Sequence, residues 1–340
     1  MKRYFSVFFL FSILCSATSY AQDSLAFKPS GKIIARSFLD FSKGFGDDDK
    51  SGFDITRALL GYNYKFTRTL QAQVVIDGAA GKTSSDGLEV YLRNAFVNWS
   101  DKGFSVNAGL IGLMGFSVQE TYWMHRYVMK SFQDLNKMGP SVDMGVTAEY
   151  AFNPYISADL GITNGEGYKK IKKDNSMKYA AGLSLHPTKN TILRIYGDVY
   201  NESENLRDAL PEGVTDVDFK DQYTMAVFAG YKDKKISAGA EYNRVFNKGF
   251  VEKKDYFGYS VYTSIALAPK WRTFARYDLV DSSASNSFNT AWNSLDGQLM
   301  MIGVEFQPVK QLKIAPNFRN LNPDHSKSQR YLFVSVEFNL

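Results

Sequence analysis

Hydrophobic and polar residues alternate with a period of two along most of the chain beyond residue 30, in runs of roughly ten, as half-buried β-strands require. Ala58, Leu60, Tyr62 and Tyr64 alternate in one run, Leu70, Ala72, Val74 and Ile76 in the next, and Val142, Met144, Val146, Ala148 and Tyr150 further on. The pattern returns with Tyr223, Met225, Val227 and Tyr231, with Phe257, Tyr259, Val261 and Ile265, and with Trp271, Ala275, Tyr277 and Leu279. Each set is predicted to occupy one apolar face. Between Leu88 and Trp99, Asn94 interrupts the register begun by Val90 and Leu92, which predicts a bulge. The last run, Tyr331 to Leu340, places Leu332, Val334, Val336, Phe338 and Leu340 on one face and Ser335, Glu337 and Asn339 on the other. An open edge with that pattern would aggregate, so it is expected to pair with the first strand and close a barrel.

Two kinds of connection separate the runs. Residues 66–69, 100–103, 151–154, 186–190, 232–235, 268–270 and 307–310 are short and carry Gly, Pro, Asn or Asp, which supply turn dihedrals. Residues 42–51, 80–87, 112–140, 164–175, 202–219, 247–255, 281–296 and 321–329 form longer, polar connections. Together they join sixteen strands, near 31–41, 52–65, 69–79, 88–99, 103–111, 141–151, 155–163, 176–186, 190–201, 220–231, 235–246, 256–267, 270–280, 297–306, 310–320 and 330–340. An even count with short turns at one end and long loops at the other is the organisation of an antiparallel transmembrane β-barrel. Sixteen strands enclose a water-filled channel, whereas about eight would fill themselves with side chains. The fold class expected is therefore all-β, a sixteen-stranded antiparallel transmembrane barrel with a long third loop folded inward.

Composition agrees with strands rather than helices as the spanning element. Aromatic residues make up 15% of the chain, with 21 Tyr and 26 Phe, and nothing after residue 22 approaches the roughly 18 apolar residues of a membrane helix. Lys2 and Arg3 precede the apolar run Tyr4 to Leu14, and Ser19-Tyr20-Ala21 resembles a cleavage site, so residues 1–21 read as a signal peptide cut near Ala21/Gln22. Residues 22–340 then form one domain. The single cysteine, Cys15, leaves with the peptide, so disulfides do not hold the exported chain. Lipid modification of Cys15 would need a small residue before it, where Leu14 stands. A formal charge of +5, less two when Lys2 and Arg3 leave, is too small to argue for nucleic acid. A soluble secreted sandwich would also alternate, but it would not show the long and short rhythm of connections.

The connection 112–140 is the longest. Met124, Val128, Phe132 and Leu135 stand at helical spacing within it, with Arg126, Lys130, Gln133 and Lys137 on another face, which predicts a short amphipathic helix. Folded inward, it would pack its apolar face on the wall and turn its basic face to the passage; folded outward, it would lie over the rim. Along the polar faces Lys32, Arg36, Arg57, Arg93, Lys178, Arg194, Arg272, Arg276, Lys313 and Arg319 nearly balance Asp40, Asp77, Glu89, Asp143, Glu149, Asp159, Asp198, Glu241, Asp278, Glu305 and Glu337. Selectivity then depends on local rings of charge. The candidate constriction residues are Arg36, Arg57, Arg93, Glu120, Arg126, Lys130, Arg194 and Arg276. Each arginine has a second reading, as partner of a wall carboxylate that stiffens the barrel.

The histidines, His125, His186 and His325, show neither zinc spacing nor an evident Ser-His pair, and they are expected to be solvated loop and turn residues. No catalytic residue, metal or cofactor is implied. A phospholipase- or protease-like barrel enzyme would need a Ser or Asp beside His125 or His325, and a structural or adhesive barrel would need a blocked lumen. The lysines at 169, 170, 172 and 173 read as a solvated outer loop near lipopolysaccharide, and Asp47 to Asp49 as a charged loop tip.

On Phe53-Asp-Ile-Thr-Arg-Ala-Leu-Leu-Gly61, Gln119-Glu120, Tyr122-Trp123, His125-Arg-Tyr127, Ser141-Val-Asp-Met-Gly-Val146 and Asn164-Gly-Glu-Gly-Tyr168, the chain resembles the phosphate-selective porin O and P family of Gram-negative outer membranes. The resemblance spans essentially the whole exported chain. It implies a passive outer-membrane channel for small anions such as phosphate, usually a homotrimer, surrounded by outer-membrane lipid and lipopolysaccharide, without nucleic-acid partners. Thr56 departs from the paired arginines of the family's second strand, which interrupts a continuous phosphate ladder.

Overall fold

The alternating runs form sixteen strands: β1 (Ser30–Phe45), β2 (Ser51–Lys65), β3 (Leu70–Ala80), β4 (Leu88–Asp101), β5 (Phe104–Gly112), β6 (Val142–Asn153), β7 (Ile156–Thr163), β8 (Lys178–Thr188), β9 (Thr191–Tyr200), β10 (Gln222–Lys232), β11 (Ile236–Phe246), β12 (Tyr256–Ala268), β13 (Trp271–Ser282), β14 (Gly297–Val309), β15 (Leu312–Pro323) and β16 (Gln329–Asn339). The computed structural model describes residues 27–46, 50–80, 88–169, 171, 175–202, 218–282 and 292–340; the signal-peptide reading and the Asp47 to Asp49 tip lie outside them. Each strand pairs antiparallel with its sequence neighbours and β1 with β16, so the sheet closes into a barrel. Closure sets Leu39 opposite Val336 and Phe41 opposite Val334, and no strand is left with unpaired backbone along an edge.

Alternation decides the faces. Leu60, Tyr62, Val74, Ile76, Leu160, Ile195, Val227, Val261, Ile302 and Leu332 point outward and are exposed. A belt of large exposed apolar side chains around a closed barrel fits hydrocarbon rather than water. Val142, expected on that face, is buried instead, where Gly167 packs over Pro140 and the Val142 carbonyl at the foot of the third loop.

Register shifts fall at four of the short turns, and two bulges within the wall reset the alternation. In β4, Val75 faces Asn94 and Ile76 faces Leu92, so Arg93 is the additional residue, within the interruption read from Asn94. In β2, Phe38 faces Arg57 and Leu39 faces Ile55, so Thr56 is additional. Phe53 and Ile55 therefore point outward while Arg57, of the same parity, points inward. Bulges commonly re-aim a side chain in this way.

The third long connection carries α1 (Met114–Trp123) and α2 (Phe132–Leu135) rather than one helix through 124–135. Met124 takes a left-handed conformation, φ 63°, which stops α1. The Trp123 indole then donates to the Met129 carbonyl at 2.8 Å. Tertiary contacts override the helical spacing, although Val128 and Phe132 are buried as the spacing implied. Trp123, Tyr127 and Val128 pack against inward-facing Phe38, Ile192, Phe228, Tyr262, Phe274, Leu299 and Met301. Phe132 and Met138 pack against Val245, Tyr256 and Val280. A hydrophobic core thus lies inside the barrel, between the loop and the walls β1 and β9–β15.

Candidate functional site

Wall side chains hold the loop by its backbone. Arg194 forks onto Asp159, at 2.6 Å from Nη1 to Oδ2, and its Nη2 donates to the Met114 carbonyl at 3.1 Å. Gly182 makes room for this pair: a Cβ there would lie 2.4 Å from Arg194 Nη2 and 2.6 Å from Asp159 Oδ2. Arg276 pairs with Asp278 at 2.6 Å and donates to the Lys130 carbonyl at 2.6 Å. Arg319 donates to the Val128 carbonyl at 2.8 Å, and the Tyr262 hydroxyl to that of Gln119 at 2.9 Å. A loop without regular ladders must satisfy its carbonyls somehow, and charged donors do so strongly. Arg194 and Arg276, both grouped with the constriction residues by sequence, sit beneath the loop at 2% and 3% exposure and anchor it.

His125 corrects the expectation of a solvated residue: its exposure is 0%. Its Nε2 lies 2.9 Å from Ser264 Oγ and its Nδ1 lies 3.2 Å from Glu305 Oε2. Ser264 Oγ also accepts from Arg272 Nε at 3.0 Å, so the serine links the imidazole to a wall arginine. Tyr127 also donates to Glu305 Oε2, at 2.9 Å. Burial pushes the imidazole below its usual range, with Glu305 pulling the other way. Ser, His and Glu thus stand in the order of a hydrolase triad, but Ser264 is 1% exposed and the Phe274 ring stacks on the imidazole. With no room for a substrate, the trio is a buried polar lock. His325 is half exposed at the other end, with Nε2 4.0 Å from Asp296 Oδ2.

The polar side of the loop faces the walls that it leaves uncovered. Arg126 bridges Glu120 at 3.2 Å and Asp134 at 2.8 Å, and Lys130 lies 3.6 Å from Asp134. Burial and the facing Arg57 lower the affinity of the Arg126 guanidinium for its proton, and Asp134 and Glu120 oppose them. Across the gap, Arg57 forks onto Asp77 at 2.8 Å, Arg93 lies 3.7 Å from the same carboxylate, and the Tyr168 hydroxyl donates to it at 3.4 Å. The Arg93 guanidinium also sits 5.8 Å from the Tyr168 ring centroid. The two bulges flank this cluster, one at Thr56 and one at Arg93. Arg36 lies lower, in a cavity of about 370 Å³ bordered by Glu120, Arg126, Lys232, Lys313 and Glu337. There Glu337 receives Arg36 at 3.5 Å and Lys313 at 2.8 Å.

Six of the eight candidates therefore gather around one gap between loop and wall. Asp134 and Lys232 were not singled out from the sequence. The first carried a signal, standing four residues after Lys130; the second lies at a strand end, where only the closed barrel brings it under the loop.

Sequence comparison matches no family model and no curated protein. Solved structures match closely in fold. Salmonella typhi OmpF, in complex with daunomycin, aligns with TM-score 0.69 at 13% identity over 91% of this chain and 97% of that one. The outer membrane channel DcaP of Acinetobacter baumannii aligns with TM-score 0.65 at 14% identity, covering 92% and 97%. Pseudomonas putida OprB aligns with TM-score 0.65 at 10% identity, covering 91% and 94%. At such identities the likeness is one of fold.

Proposed function

We propose that the protein is an outer-membrane porin, a passive diffusion channel for small polar solutes that favours anions, phosphate among them, as the resemblance to the phosphate-selective family implies. The observation that carries the reading is the charge around the gap. Arg36, Arg57, Arg93, Arg126, Lys130, Lys232 and Lys313 border it, against Asp77, Glu120, Asp134 and Glu337. Most of these groups are paired, so they form a weakly positive field with exposed hydrogen-bond donors. Weak binding suits conduction, because a solute must leave as readily as it enters. The fold likeness to outer-membrane channels supports the location, and trimer assembly follows the same analogy.

Planar-bilayer recording of the refolded protein tests the reading. Stepwise conductance is expected, with a reversal potential of anion sign under a salt gradient. Absence of steps would sink the channel, and a cation-sign potential would sink its selectivity. Adding phosphate to a chloride bath is expected to reduce chloride current at moderate concentration without blocking it.

A further inference from the structure

We propose that the outer surface over β14–β16, near the long-loop end, binds a phosphate-bearing lipid. The proposal rests on the membrane placement above. A groove of about 580 Å³ there is bordered by Met300, Ile302 and Phe318 below and by Asn320, Asn322, Ser328 and Arg330 above. Register explains the division. Met300 lies opposite Asn320 and Asn320 opposite Arg330, forming one outward row. One row lower, Ile302 lies opposite Phe318 and Phe318 opposite Leu332, an apolar row of exposed side chains. Arg330 is exposed and makes no ion pair among the described residues. A guanidinium placed in the outward belt of a membrane barrel is costly unless it finds a counter-charge at the headgroup level. The amides of Asn320 and Asn322 and the Ser328 hydroxyl add donors beside it. The arrangement therefore fits an amphiphile, with phosphate held by Arg330 and the amides and an acyl chain lying along Met300, Ile302 and Phe318.

The detergent-folded, signal-cleaved protein is mixed with lipid A and, separately, with its dephosphorylated form of identical acyl composition, and retained lipid is read by native mass spectrometry. The phosphorylated lipid is expected to stay bound at one equivalent. Loss of a charge-assisted contact in Arg330→Ala should weaken it by about tenfold or more. Arg330→Lys should retain part of the binding, and Lys189→Ala, at the short-turn end, all of it. Equal retention of the two lipids would mean ordinary boundary lipid and would overturn the proposal. So would wild-type retention by Arg330→Ala in a barrel shown folded by its heat-dependent gel shift. A change in subunit number in Arg330→Ala, without loss of lipid, would assign the groove to a second copy of this chain and also overturn it. Inorganic phosphate displacing the lipid completely would reduce the site to a headgroup pocket and remove the role of the apolar floor. Arg330 points away from the lumen, so conductance is expected to be unchanged. A barrel that holds lipid but does not conduct would fail the channel reading alone.

Discussion

Arg276 shows how one residue can serve the wall rather than the passage. Its guanidinium is buried, forks onto Asp278 and holds the Lys130 carbonyl. Removing it in Arg276→Ala leaves a buried carboxylate unpaired, a change that costs about 3–5 kcal/mol in comparable cases. The double variant Arg276→Met/Asp278→Leu should recover part of that loss, read from guanidinium unfolding midpoints, because the Asp278 charge is no longer stranded while the Lys130 carbonyl still lacks its donor. His125 gives the residue-scale dependence on pH. Its buried ring resists protonation, so the seated loop binds fewer protons than the unseated one. The seat is unaffected above the ordinary imidazole pKa of about 6.5, and it weakens as pH falls below that value toward the lowered one. Arg272 and Lys313 add to the resistance and Glu305 opposes it. Relative to the intrinsic rate at each pH, amide exchange across 114–135 is expected to quicken as pH falls from about 7.5 to about 5. In His125→Phe that acceleration should vanish.

At the scale of elements, the loop and the two bulges decide what faces the gap. Deleting Thr56 would remove the bulge of β2 and make Ile55 and Arg57 neighbours in regular alternation, with Ile55 outward and Arg57 still inward opposite Phe38. Anion preference is therefore expected to survive that deletion and to fall in Arg57→Ala, and unchanged selectivity in Arg57→Ala would show that Arg57 does not matter to it. Strands were legible in the sequence because period two survives wherever one face is apolar and the other polar. Their pairing followed from the rhythm of connections. The Arg93 bulge was legible because Asn94 broke an apolar run; the Thr56 bulge was not, since Phe53, Ile55 and Arg57 simply looked like one alternation with a charged member. The loop was partly legible. Val128 and Phe132 are buried as their spacing implied, yet the chain turns at Met124 because Trp123, His125 and Tyr127 each find partners on distant strands. Such contacts, with Ser264 139 residues from His125 and Glu305 178 from Tyr127, leave no trace in local periodicity. For the same reason the arginines could not be sorted into anchors and gap residues: both kinds stand at inward positions, and only the loop's placement separates Arg276 from Arg57.

For the whole molecule, the decisive question is whether anions are favoured by a field or by a site. The barrel leaves a gap bordered by more basic than acidic groups, but Arg57, Arg93, Arg126 and Lys313 each already lie beside a carboxylate. A field of that kind acts over several ångströms and is screened by mobile ions. The screening length is about 10 Å at 0.1 M salt and about 3 Å at 1 M, so the reversal potential at a fixed salt ratio should shrink as both baths are concentrated. Conductance should meanwhile rise almost in proportion to salt. A dedicated phosphate site predicts the opposite pair of results: conductance in phosphate that saturates at low concentration, and a preference that survives high salt because the ligand is held by direct hydrogen bonds. Paired arginines favour the first outcome, since a solute must compete with Asp77 or Asp134 for each guanidinium. Asp77→Asn tests this directly by freeing Arg57 and Arg93 together. It is expected to raise anion preference and to bring on saturation in phosphate, converting a screened field into a binding site; a variant that conducts like the wild type in both respects would show that these two arginines lie off the ion path.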